Sequence, residues 1–136
     1  MGFYLMVFDV DKAPKTKTEF LRSKNMGKIG IKEIDIMVKH IILWQLKDEL
    51  QGPEKDAVKQ GIKEGLEGLQ GVVPGLAEIK VYTEGLSSSN ADVMLDSTFV
   101  DEDALKGYAV HPEHVKVADE KVRPYTKTRA CLDFEV

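Results

Sequence analysis

From Met37 onward, apolar and polar positions fall into regular alternations that the preceding 36 residues lack. Val38, His40, Ile42, Trp44 and Leu46 alternate with Lys39, Ile41, Leu43 and Gln45, a period of two that predicts a strand. Both sets carry large apolar side chains, so this strand is expected to be covered on both faces. Residues 48–52 read as a turn. Pro53 suits the first turn of a helix, because it has no N–H to satisfy and its φ is already helical. Val58, Ile62, Leu66 and Leu69 then recur at helical spacing, with Lys55, Lys59, Lys63 and Glu67 elsewhere on the wheel. Gly61, Gly65 and Gly68 share one side of this helix, each costing about 1 kcal/mol relative to Ala. Close packing against the sheet is the expected compensation, and room for a ligand is the alternative.

The sequence Val72-Val73-Pro74-Gly75 stops the helix, and Leu76–Tyr82 reads as a second strand. Turn residues between 84 and 90 lead into a third strand over residues 91–99. Asp101-Glu102-Asp103 can cap and charge the start of a helix that runs to Tyr108. Pro112 opens a further helical stretch to about residue 122, and Pro124 ends it. Residues 126–136 set Ala130, Leu132 and Phe134 against Cys131, Asp133 and Glu135, which predicts a last strand. The order strand, helix, strand, strand, helix, strand is that of an α+β, ferredoxin-like βαββαβ protomer.

Residues 1–36 differ in charge as well as pattern, with a net of +2 against −6 for the remainder. Residues 12–32 have no sustained period and are interrupted by Pro14, Gly27 and Gly30. The expectation is a two-part chain: an N-terminal extension over 1–36, poorly ordered or lying ahead of the natural start, and a folded domain over 37–136. Lys32-Glu33 can be encoded as AAGGAG, a ribosome-binding sequence, at a suitable distance before a start at Met37. N-terminal sequencing of the native protein tests that start directly.

Composition narrows the function classes. The 43% hydrophobic and 31% charged residues fit an ordinary globular domain, and a net charge of −4 argues against nucleic acid as partner. No stretch is long enough to span a bilayer, so no membrane partner is expected. The one cysteine, Cys131, cannot form an intramolecular disulfide; it is read as a small buried or half-buried hydrophobe in a reduced, cytoplasmic protein.

The chemistry concentrates in Tyr108-Ala109-Val110-His111-Pro112-Glu113-His114. Pro112 at a helix start puts His111 near the N-cap and His114 in the first turn, where it can share a cleft with Tyr108. A neutral His114 can take a proton from a carbon next to a carbonyl, and the Tyr108 hydroxyl can donate to the developing enolate oxygen. The bland alternative is that the two groups satisfy one another at a buried bend. His111 is placed as a corner residue capping the helix and is grouped with Ile42 and Trp44 as a ligand contact. His40 shares the strand face of Ile42 and Trp44. His111 and His114 lack zinc-type partners and no Cys cluster accompanies them, so neither metal nor organic cofactor is expected.

Val38-Lys39-His40-Ile41-Ile42-Leu43, Val73-Pro74-Gly75-Leu76, Tyr108-x-x-His111-Pro112-x-His114 and Leu132-Asp133-Phe134 occur in an order and spacing that resembles the stress-responsive dimeric α/β-barrel (Dabb) family. The resemblance covers residues 37–136 and none of the extension. It implies a homodimer whose two sheets pack face to face, with Ile41 and Leu43 at the interface. Physically, an uncovered face bearing those residues would leave an apolar patch. Most of the family has no settled activity. One plant member closes a polyketide ring without metal or cofactor, and by position its acid/base residues fall on Tyr108, His114 and His40. Two functions are therefore expected: a small dimeric barrel protein with a pocket for a small hydrophobic or carbonyl-containing ligand, or a cofactor-free acid/base enzyme, cyclase-like or lyase. They separate on one feature. An enzyme keeps these three groups around an accessible cavity, whereas a purely structural site bonds them to each other.

Overall fold

Residues 36–136 are described by the computed structural model; the expectations for the extension fall, Ile36 apart, outside the described residues. Strand β1 (Val38–Leu46) is followed by helix α1 (Gly52–Glu67), β2 (Leu76–Tyr82), β3 (Val93–Phe99), α2 (Glu102–Val110), α3 (Pro112–Val117) and β4 (Thr126–Glu135). Helix α3 runs on into a π-helical turn, Ala118–Val122, and a 3-10 turn, Arg123–Tyr125. The four strands form one antiparallel sheet in the order β2-β3-β1-β4. This is the ferredoxin-like arrangement, with the helices on one face of the sheet.

Strand β1 lies at the centre and its alternation decides the layers. Val38, His40, Ile42, Trp44 and Leu46 are buried, whereas Leu43 is 41% exposed. The buried set meets Ile62 and Leu66 of α1, Leu95 and Phe99 of β3, and Tyr108 of α2 in a single core. Because directly paired residues of an antiparallel ladder point to the same side, Ile41 opposite Asp96 and Leu132, and Leu43 opposite Met94 and Ala130, share the open face.

Local signals hold at the element ends. The Asp101 carboxylate accepts from the Ala104 N–H at 2.8 Å and starts α2. Gly75, at φ +83, lets β2 begin beside α2; a Cβ there would lie 2.5 Å from that of Ala104, so no other residue fits. The glycines of α1 behave differently from the expectation of packing on the sheet. A Cβ at Gly65 would come within 2.9 Å of Val117 Cγ1, so this glycine admits the neighbouring helix α3. Cys131 also departs from expectation: it is exposed. It stands on the edge strand β4, where nine of the ten positions are exposed because the helices stop short of that edge.

Candidate functional site

Three elements bring the site together. β1 presents His40 under the helices, α2 ends two residues after Tyr108, and the Pro112 corner brings α3 back so that His114 lies against the tyrosine. The Tyr108 and His114 rings stack with centroids 4.0 Å apart at 31°. His40 meets the tyrosine edge-on, with ring centroids 6.0 Å apart at 68°, and Phe99 closes the other side at 4.9 Å. His40, Ile42, Trp44, Tyr108 and His114 all line one cavity of about 150 Å³. The convergence expected of the three candidate acid/base residues is present.

Stacking has a consequence for bonding. The Tyr108 hydroxyl and His114 Nδ1 are buried, and neither has a hydrogen-bond partner. Leaving such a group unpaired costs about 1–3 kcal/mol. The two residues therefore do not satisfy one another, as a purely structural corner would require. Burial pushes the Tyr108 hydroxyl well above its ordinary pKa, so it stays a proton donor across neutral and alkaline pH. Burial pulls His114 below its ordinary value, helped by the positive charge of Arg123 and by His40. The carbonyls of Ala109 and Tyr108 oppose that shift without forming an aligned bond. At neutral pH the pair is a neutral imidazole beside a neutral phenol.

His40 is held from outside the cavity. Its Nδ1 lies 2.5 Å from Asp133 Oδ1 on β4, where the two residues face each other in the strand register. An ionised carboxylate can only accept, so Nδ1 carries a proton, and in the neutral imidazole that makes Nε2 the acceptor. Asp133 faces this histidine from β4 and was missed by sequence reasoning, although it stands within the Leu132-Asp133-Phe134 run that carries the family resemblance. The π-helical turn adds Ala118 and Val122 to the walls, and Arg123 and, from β4, Arg129 line the cavity with them. Spacing gave no sign of the π turn, whose extra residue per turn breaks the helical period.

His111 requires a correction. Its Nδ1 accepts from the Glu113 N–H at 3.1 Å and caps α3, and it is not among the residues lining the cavity. Ile42 and Trp44 do line the cavity, while Ile41 and Leu43 lie on the opposite face of the sheet. No helix among the described residues is long and apolar enough to cross a membrane.

A ferredoxin-like protomer with a small pocket between sheet and helices is thus the class that fold and site define. The chain belongs to the stress responsive A/B barrel domain (Dabb) family, whose profile matches residues 38–136. It is 34% identical to a dimeric ferredoxin-like protein of unknown function from Bacteroides fragilis, covering 74% of this chain and 96% of that one, with a TM-score of 0.69. A Dabb family protein from Mesorhizobium loti shares the fold at 18% identity, with coverage of 73% and 95% and a TM-score of 0.58. A hydroxynitrile lyase from Passiflora edulis shares it at 19% identity, with coverage of 74% and 93% and a TM-score of 0.57. Comparison with curated protein sequences returns no match.

Proposed function

We propose that this protein is a homodimeric, cofactor-free acid/base catalyst that binds a small carbonyl compound between sheet and helices. The observation that carries the reading is that Tyr108 Oη and His114 Nδ1 are buried without partners while both residues line a cavity of about 150 Å³. A cavity of that size takes about one six-membered ring. Neutral His114 serves as general base toward an acidic C–H or O–H. Tyr108, protonated over the whole working range, donates to the oxygen that gains charge, and His40, its tautomer set by Asp133, orients the ligand. Arg129 on the cavity wall favours a ligand with an anionic substituent outside the ring, whereas Arg123 is already paired with Asp119. One fold relative is a hydroxynitrile lyase, so the scaffold is compatible with lyase chemistry as well as with ring closure. The homodimer is supported by the dimeric Bacteroides fragilis relative and by the apolar open face around Ile41, Leu43 and Leu132.

The test needs no substrate at first. Tyr108→Phe removes an unpartnered hydroxyl and is expected to leave the melting temperature unchanged or raise it. A large fall would mean that the hydroxyl is structurally bonded and would overturn the reading. Screening β-dicarbonyl and hydroxynitrile compounds for turnover then supplies the second readout. Tyr108→Phe and His114→Ala should each lower any activity found by about 10²–10⁴-fold.

A further inference from the structure

His40 is the hinge of a second cluster, built on its Nδ1 edge. Opposite it on β4, Cys131 and Asp133 stand two residues apart and so on the same face, and the register sets Cys131 against Ile42 and Asp133 against His40. Cys131 Sγ lies 3.4 Å from Asp133 Oδ1 and 3.9 Å from His40 Nδ1, and the two latter atoms are 2.5 Å apart. One nitrogen, one sulfur and one carboxylate oxygen therefore converge from two rigid neighbouring strands, with the imidazole buried and the other two groups open to solvent.

We propose that this cluster is a binding site for one divalent transition-metal ion, zinc by the class of its donors, with a water in the fourth position. Tetrahedral zinc with bonds of about 2.0–2.1 Å to nitrogen and 2.3 Å to sulfur holds such donors about 3.3–3.6 Å apart. The sulfur–oxygen distance, 3.4 Å, already falls in that range, and the sulfur–nitrogen distance, 3.9 Å, must close by a few tenths of an ångström. The nitrogen–oxygen pair opens by under about 1 Å once the metal takes the place of the shared proton. A mixed imidazole, thiolate and carboxylate set excludes magnesium and calcium, which take oxygen donors alone.

The protons balance simply. The thiol of Cys131 loses its proton to solvent, and the neutral imidazole moves its proton from Nδ1 to Nε2. Thiolate and carboxylate together neutralise the dication, which offsets the repulsion from nearby Arg129. The cluster lies on the helix side of β4, and a partner packed on the open face of the sheet leaves it accessible. Metal binding also turns His40 Nε2 from an acceptor into a donor, which couples this site to the cavity on the other edge of the same ring.

The experiment is a cobalt(II) titration of the full chain, read by absorption and independent of any activity. The expected result is one cobalt per chain, with intense four-coordinate d–d bands in the visible and a thiolate-to-cobalt charge-transfer band in the near ultraviolet. Added zinc should displace both, and calorimetry in buffers of different ionisation enthalpy should show about one proton released per metal. Cys131→Ser, at an exposed position, should abolish the charge-transfer band. It and Asp133→Asn should each weaken binding by at least roughly the 10–100-fold that even a lost second-shell contact costs. His111→Ala should change nothing. Spectra that remain those of six-coordinate aqueous cobalt, or a charge-transfer band that survives Cys131→Ser, would overturn the proposal, as would binding lost in His111→Ala alone. Because the readout is spectroscopic, its failure leaves the acid/base reading of Tyr108 and His114 standing.

Discussion

The two faces of the central sheet are written by the same nine residues of β1 but solve different problems. On the helix side, Ile42 and Trp44 are sealed beneath α1 and α2, and the one polar member, His40, is bonded to Asp133. On the open side, Ile41 and Leu43 sit beside a Lys39–Asp96 ion pair at 2.5 Å and the exposed Tyr82, Leu132 and Phe134. One face is complete within the protomer and keeps a small cavity. The other is left open within the protomer. An alternating strand with apolar residues in both phases thus announces two contacts, and only the second depends on a partner.

Lysine introduced on each face in turn separates the two. Ile42→Lys puts a charge where the side chain is 1% exposed and no acid faces it in the ladder, so it should unfold the protomer, at a cost of several kcal/mol. Leu43→Lys is tolerated by a lone protomer, where the position is 41% exposed, but should dissociate the dimer. Circular dichroism and sedimentation together read the difference. A Leu43→Lys protein that remains folded and dimeric would show that the open face is not the interface.

A smaller effect probes the helical wall of the cavity. Gly65→Val would drive new methyls into Val117, already 2.9 Å from a hypothetical Cβ, and push α3 away from α1. Overpacking of this kind costs typically about 1–3 kcal/mol, measured by denaturant unfolding. Since His114 rides on α3, the same variant should also loosen the stack on Tyr108 and weaken ligand binding. Gly61→Ala, whose new methyl would meet only the flexible Lys121 chain at 3.8 Å, should be neutral or stabilising.

Much of this was legible from local signals. The strand and helix order followed from periods of two and 3.6, and Pro53, Gly75, Asp101 and Pro112 marked ends by their backbone chemistry. Tyr108 and His114 were found because the Pro112 corner keeps them close in sequence. What escaped depended on long-range pairing or on broken periods. Asp133 meets His40 across 93 residues of sequence, and only the register shows that the two are face to face. Cys131 was taken as buried because alternation gives the parity of a strand position and not whether a helix covers it. The partner of Gly65 was misjudged for the same reason: a helix pattern tells which side is crowded and not by what.

The smallest expected effect concerns protons on the helix face. His114 has its pKa below the ordinary 6.5, with burial as the main cause. Between that value and the lower folded one, the unfolded chain binds a proton that the folded chain refuses. Stability from this residue is therefore fully present above about pH 6.5 and is lost as pH falls through the folded value. His114→Gln should flatten that slope by up to one proton, measured as the pH dependence of the denaturation midpoint. Leu43→Lys should not alter it within the folded protomer, because the open face carries no part of the histidine's surroundings. The acid limb of any turnover should shift in parallel, since the base works only when neutral, and it should lie below pH 6.5. An acid limb above that value would mean that the reacting base is a group other than His114.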